Sequence, residues 1–151
     1  MAMAATISAI QFAFPTTQLE QLRTVVEMPG NALTKIDKYY AKLSQEYGYD
    51  IYPVTDLNRN VNCLRGIGYY LLRKERTHEA LEIFKRWTEL SPNDANGFDS
   101  LADAYESLNQ HDLALRAHER AVNVAREQND LRITFFKQRL ADFKGRIAKK
   151  S

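Results

Sequence analysis

Residues 61–94 and 95–128 form two segments of equal length lying end to end, and landmark residues of the first recur in the second. Leu64, Ile67 and Leu71 return as Phe98, Leu101 and Tyr105. Gly68 returns as the small residue Ala102, and Ala80 as Ala114. A period of about 34 residues is the size of one helix–turn–helix unit, which cannot bury its apolar face alone. A chain built this way must stack its units and close both ends of the stack. The small residues are expected where the two helices of a unit cross closely, Gly68 against Ala80 and Ala102 against Ala114. Leu64, Leu71, Phe84, Phe98 and Tyr105 are expected in the core.

Helical periodicity continues on both sides of the repeat. Thr16 or Thr17 is placed to cap a helix with Leu19, Leu22, Val25 and Val26 on one face, and Pro29-Gly30 ends it. A second helix, from Asn31 or Ala32 to Tyr47, spaces Leu33, Ile36, Tyr40, Leu43 and Tyr47 by three or four residues and stops at Gly48. After a loop, Thr55 or Asp56 is expected to cap the first repeat helix, about 57–73, and Thr77 to start its partner, which runs to Leu90. The second pair is expected at about 95–108 and 112–127, across the polar turn Asn109-Gln110-His111. A last helix, about 131–149, carries Ile133, Phe136, Leu140, Phe143 and Ile147 on one face and its Lys and Arg residues elsewhere, as a terminal cap requires. Ahead of all this, Ile7, Ile10, Phe12 and Phe14 form an apolar leader that fits a short helix or a strand. It is expected to pack on the repeat, on a missing domain or on a second copy. The expectation is an all-α chain: 1–50 with the leader and two helices, 51–130 with the repeat pair, and 131–151 as a C-terminal cap.

Composition narrows the function. A chain of 151 residues suits one domain. Its net charge of +2, with acidic and basic residues interspersed, gives no nucleic-acid footprint. Cys63 is the only cysteine, so neither an intrachain disulfide nor a cysteine metal cluster can form. No apolar run reaches the roughly 18 residues of a membrane span, and no basic n-region precedes the leader, which points to the cytoplasm. No serine lies in a Gly-x-Ser-x-Gly elbow. Gly66-Ile67-Gly68 is a lone Gly-x-Gly inside a helix, too little for a phosphate cradle. His78, His111 and His118 lack the spacing of helix-borne metal ligands and are given ordinary structural roles. We therefore expect no catalytic residues, no cofactor and no metal.

The period and its small residues resemble the tetratricopeptide (TPR) repeat, which implies a right-handed α-superhelix with a concave groove lined by the leading helix of each unit. Pro92 stands where that family has a proline. In the second unit His118 replaces Phe84 and Arg126 replaces Pro92, departures that suit a final unit facing its cap. On the implied groove face, Asp99, Asp103 and Glu106 recur at helical spacing. The matching positions of the first unit are Arg65, Tyr69 and Leu72, with Arg73 adjacent. A solvated helix face would give the same pattern. If the strip binds, its acidity disfavours a terminal carboxylate and suits a neutral or basic peptide.

A second resemblance is carried by Tyr39-Tyr40-Ala41-Lys42-Leu43-Ser44-Gln45-Glu46-Tyr47-Gly48-Tyr49 and by Pro92-Asn93-Asp94-Ala95-Asn96-Gly97-Phe98-Asp99-Ser100-Leu101-Ala102-Asp103-Ala104-Tyr105. These are similar to the C-terminal region of a group of bacterial esterases of the α/β-hydrolase fold, in which a repeat pair follows the catalytic domain. That resemblance implies a non-catalytic accessory or oligomerisation module whose partner is a protein: itself, as a homodimer, or a fused hydrolase domain. A free-standing adaptor that takes a peptide in its groove is the alternative.

Overall fold

The computed structural model describes residues 21–56 and 63–149. The expected leader, the Thr16 or Thr17 cap and the stretch 57–62 lie outside them. Among the described residues the secondary structure is entirely helical: α1 (Gln21–Glu27), α2 (Ala32–Tyr47), α3 (Leu64–Arg73), α4 (Thr77–Leu90), α5 (Ala95–Ser107), α6 (His111–Glu127) and α7 (Ile133–Ala148). α3 packs on α4, α4 on α5, α5 on α6 and α6 on α7, while α1 and α2 pair and α2 leans on α4.

Backbone chemistry sets most of the ends. Gly30 (φ 104°) and Gly48 (φ 76°) adopt the left-handed conformation that closes α1 and α2, a conformation open to glycine at little cost. Asn31 caps α2 by accepting the Thr34 N–H at 2.9 Å. The hairpins α3–α4 and α5–α6 close with the same turn. Glu75 (φ 59°) and Asn109 (φ 56°) are left-handed, and the N–H groups of Arg76 and Gln110 reach back to the Leu71 and Tyr105 carbonyls at 3.0 and 2.9 Å. Asp94 joins the hairpins: one carboxylate oxygen caps α5 at Asn96 N (3.0 Å), and the other accepts the indole N–H of the fully buried Trp87 at 3.1 Å.

Several expectations are corrected. α3 begins at Leu64 rather than near Leu57, and its cap is the Cys63 sulfur, which accepts the Gly66 N–H at 3.4 Å. Thr55 and Asp56 do not cap it; instead the Val54 and Thr55 carbonyls accept the Leu64 and Arg65 N–H groups. Thr77 is the first residue inside α4. Arg76 occupies the cap position, makes no side-chain cap bond and pairs with Glu79 at 2.7 Å. Glu79 in turn accepts the Ala32 N–H at 2.7 Å, and Arg76 donates to the Val26 carbonyl at 3.0 Å, so this pair pins the α1–α2 hairpin to α4. His111 lies in α6 and not in the preceding turn. Tyr47, expected on the buried stripe of α2, is exposed, since the stripe buries Ala32, Ile36 and Tyr40 and is only half-buried by Leu43. Phe98, Leu101 and Tyr105 are half-buried, whereas Leu64, Ile67 and Leu71 are completely enclosed. The reason is that α5 is covered by both α4 and α6, so it buries the small residues Ala95, Gly97, Ala102 and Ala104 together with the polar Asp99 and Ser100.

Gly68 is required by a ring: a Cβ there would lie 2.2 Å from Phe84 Cε1 and 2.6 Å from Cζ. One hairpin later, Ala102 and His118 occupy the corresponding places, and both are buried. In an exposed helix Ala is better than Gly by about 1 kcal/mol, but here overpacking decides the sign. Gly68→Ala is expected to destabilise the chain by about 1–3 kcal/mol in denaturant unfolding. Adding Phe84→Leu should cost less than the sum of the two single changes, and strict additivity would show that the ring is not the obstacle.

Candidate functional site

The polar centre of the molecule lies where α5, α6 and α7 meet. His118, on α6, is 1% exposed and lies between two carboxylates of α5. Its Nδ1 is 3.1 Å from Asp99 Oδ1, and its Nε2 is 2.9 Å from Glu106 Oε1. A neutral imidazole can donate from only one nitrogen. A carboxylate oxygen on each side favours a proton on both nitrogens, the imidazolium form. Burial pulls its pKa down, but the hydrogen bonds and charges of Asp99 and Glu106 outweigh burial and hold it above the ordinary histidine value. The Phe143 ring of α7 lies 5.3 Å from the imidazole.

Two arginines of α7 complete the cluster. Arg139 Nε donates to Asp99 at 3.2 Å, and its guanidinium also pairs with Asp103. Arg146 pairs with Glu106. Asp103 accepts from the Tyr69 hydroxyl of α3 at 2.8 Å, and that hydroxyl lies 3.1 Å from Ser100 Oγ. Asp99, Asp103 and Glu106 thus face His118, Arg139 and Arg146, three negative groups against three positive. Burial raises the Asp103 pKa, opposed by the Arg139 charge and the Tyr69 hydrogen bond. Burial also acts on Glu106, but His118 and Arg146 hold it below the usual carboxylate range. Burial and the neighbouring Asp103 carboxylate push the Tyr69 phenol upward, so it serves as a hydrogen-bond donor.

Of the residues singled out from sequence, the structure brings Arg65, Tyr69, Asp99 and Asp103 to one cavity of about 270 Å³, which Asn96, Ser100, Phe135 and Arg139 also line. Arg65 stands at its exposed side, 3.4 Å from Asp56. Glu106 belongs to the same charge cluster one turn further along α5. Leu72 is not in the cavity and packs on the apolar core, while Arg73 is exposed at the end of α3. The basic side chains of α7 are not confined to its solvent face, as the sequence suggested. Arg139 and Arg146 each follow a buried phenylalanine, Phe136 and Phe143, by three residues and turn onto α5. Sequence reasoning passed over Ser100, His118, Arg139 and Arg146. The seven-residue recurrence Phe-x-x-Arg in α7 was the signal that could have found the arginines.

Among the described residues no group of three or more His, Cys, Asp or Glu side chains could hold a metal ion. The lone pairs of Asp99 and Glu106 are already engaged by cationic donors. No helix among the described residues is long and apolar enough to cross a membrane. A comparison with protein-family models finds no match for the chain, and one with curated proteins finds none either.

Because the folded imidazolium has a raised pKa, its contribution to stability is fully present below the unfolded value of about 6.5 and is lost as pH rises through the folded value. The melting temperature is therefore expected to fall as pH rises above about 6.5, and this slope should flatten in His118→Gln. An unchanged slope in the variant would place the titrating group elsewhere.

Proposed function

We propose that the chain is a non-catalytic protein–protein interaction module of the tetratricopeptide type, its helices stacked as a right-handed superhelix. The observation that carries this reading is the shared hairpin closure. Glu75 and Asn109 take the same left-handed conformation at equivalent places, and the Arg76 and Gln110 N–H groups make equivalent bonds. α7 then packs on α6 as α5 packs on α4, the position the leading helix of a further unit would take. In a stack of this kind each unit contacts mainly its neighbours, which leaves an extended face for partners. The resemblance to the C-terminal region of bacterial esterases supports a fused or associated hydrolase domain, or a second copy of the chain, as the partner.

A second reading, a free-standing adaptor that takes a neutral or basic peptide in its concave groove, is favoured by one observation. Arg65, Tyr69, Asp99 and Asp103 line one cavity of about 270 Å³. Groove residues Arg65, Tyr69, Asp99 and Asp103 would contact the peptide, and no cofactor takes part.

Mass photometry and pull-down of the purified chain test the module. It is expected to self-associate or to capture a hydrolase domain, without hydrolysing p-nitrophenyl esters. A strict monomer that captures neither, or one that turns over the ester, would overturn the proposal.

A further inference from the structure

α2 leans on α4 without closing against it, and a cleft opens between the two helices. The ion pair between Asp37 and Arg86, 2.8 Å long, belongs to the wall of both cavities that make up this cleft. One cavity, of about 260 Å³, has apolar walls formed by Tyr40, Ala41, Ile51, Tyr52, Pro53 and Leu90. The segment after α2 is fastened down as its third wall: Ser44 Oγ accepts the Ile51 N–H at 2.8 Å, and the Tyr40 hydroxyl hydrogen-bonds the Val54 backbone. The other cavity, of about 340 Å³, is polar, and in it Asp37, Glu82 and Glu89 outnumber Lys85 and Arg86. Lys85 is drawn to the Tyr105 ring of α5, 5.9 Å from its centroid. Neither cavity shares a residue with the one bounded by Arg65, Tyr69 and Asp99.

Arg86 is incompletely satisfied in this setting. A guanidinium carries several N–H donors, yet among the described residues the side chain makes one hydrogen bond, from Nη2 to Asp37. Nε is buried with no partner, and Nη1 lies 3.8 Å from Glu89. A buried donor left unpaired costs free energy, and an acceptor brought into the cleft recovers it once the guanidinium turns toward that acceptor. The Ser44 and Tyr40 hydroxyls are already engaged within the chain, so the apolar end offers a ligand little that is polar besides the ion pair. The occupant that fits therefore combines a carbonyl for Arg86, an apolar side chain for the pocket beside Ile51, and a cation for the carboxylates. An anion is opposed by Asp37, Glu82 and Glu89. An extended peptide supplies all three parts, because side chains two residues apart fall on one side of it, roughly 7 Å from each other, with carbonyls between them.

We propose that this cleft binds an extended segment of a partner protein in which an apolar residue and a Lys or Arg stand two residues apart. The proposal rests on the interaction-module reading and gives it a site and a ligand class. The apolar side chain enters beside Ile51 and covers Tyr52, which is 61% exposed in the free chain. A carbonyl of the segment accepts from Arg86, and the cation reaches Glu82 and Glu89.

The test titrates the full chain with the end-blocked peptide Gly-Leu-Gly-Arg-Gly and follows the NMR signals of the Arg86 Nε–H and the Tyr52 ring. Saturable shifts at both are expected, with a Kd of about 1 mM or tighter. A peptide with Glu in place of its Arg is expected to bind at least about fivefold more weakly. Ala41 is exposed at the rim, so Ala41→Trp fills the apolar cavity and is expected to abolish the shifts while the circular dichroism stays unchanged. Glu89→Lys, at a side chain 66% exposed, is expected to weaken binding several-fold, and it carries the test if Ala41→Trp does not fold. Equal binding of the acidic peptide, undiminished binding by a folded variant, or shifts centred on Arg65 and Phe135 would overturn the proposal. A chain that self-associates or captures a hydrolase domain without these shifts would overturn this proposal alone. Shifts at Arg86 in a chain that does neither would uphold the site and overturn only the partners named for the module.

Discussion

The Asp99–His118–Glu106 bridge decides how the second half of the chain is arranged. An ionised side chain taken out of water costs several kcal/mol unless partners surround it. His118 meets that condition only when α5 presents both carboxylates, and the carboxylates in turn are balanced only when α7 brings Arg139 and Arg146. Removing a carboxylate partner of His118 leaves a buried charge without its match, a change that typically costs about 3–5 kcal/mol in a buried pair. The cluster therefore fixes the register of α5, α6 and α7 more sharply than apolar packing alone, because a helix slipped by one residue would still find grease but not its counter-ion.

The first hairpin solves the same crossing without charge. Gly68 lets the Phe84 ring lie directly against the α3 backbone, Tyr69 meets that ring edge-on at 5.2 Å, and Trp87 closes the layer with its indole N–H on Asp94. With an aromatic ring at the crossing the core is dry; with an imidazole there, it must be polar. Tyr69 links the two regimes, since its ring packs on Phe84 while its hydroxyl donates to Asp103. The cavity bounded by Arg65, Tyr69, Asp99 and Phe135 lies on the polar side of this boundary.

What the sequence made legible were features that depend on one residue and its near neighbours. Gly48 and Pro29-Gly30 stop helices because of their own backbone preferences. Cys63 as a cap was not legible, because a thiol is a weak acceptor and rarely competes with Thr or Asp. Thr77 was legible as the first residue of α4, but the side-chain cap that a hydroxyl there suggests is absent, and a guanidinium–carboxylate pair at Arg76 and Glu79 orders that turn instead. The acidic spacing of Asp99, Asp103 and Glu106 was visible along α5. Periodicity tells which residues share a face but not what lies opposite, so partners 36 to 40 residues further along, on α7, could not be read from it. His118 stood out as a departure from Phe84, yet its charge is set by carboxylates 19 and 12 residues earlier in the chain.

The central claim is that a fully buried histidine is held as a cation at neutral pH by the helices on either side of it. Nitrogen-15 NMR of the histidine rings in the intact chain measures this directly. At pH 7 both His118 ring nitrogens are expected to carry protons, each with a resolved N–H signal protected from solvent exchange. A ring with one bare nitrogen would contradict the bridge, and with it the charge balance that ties α7 to α5.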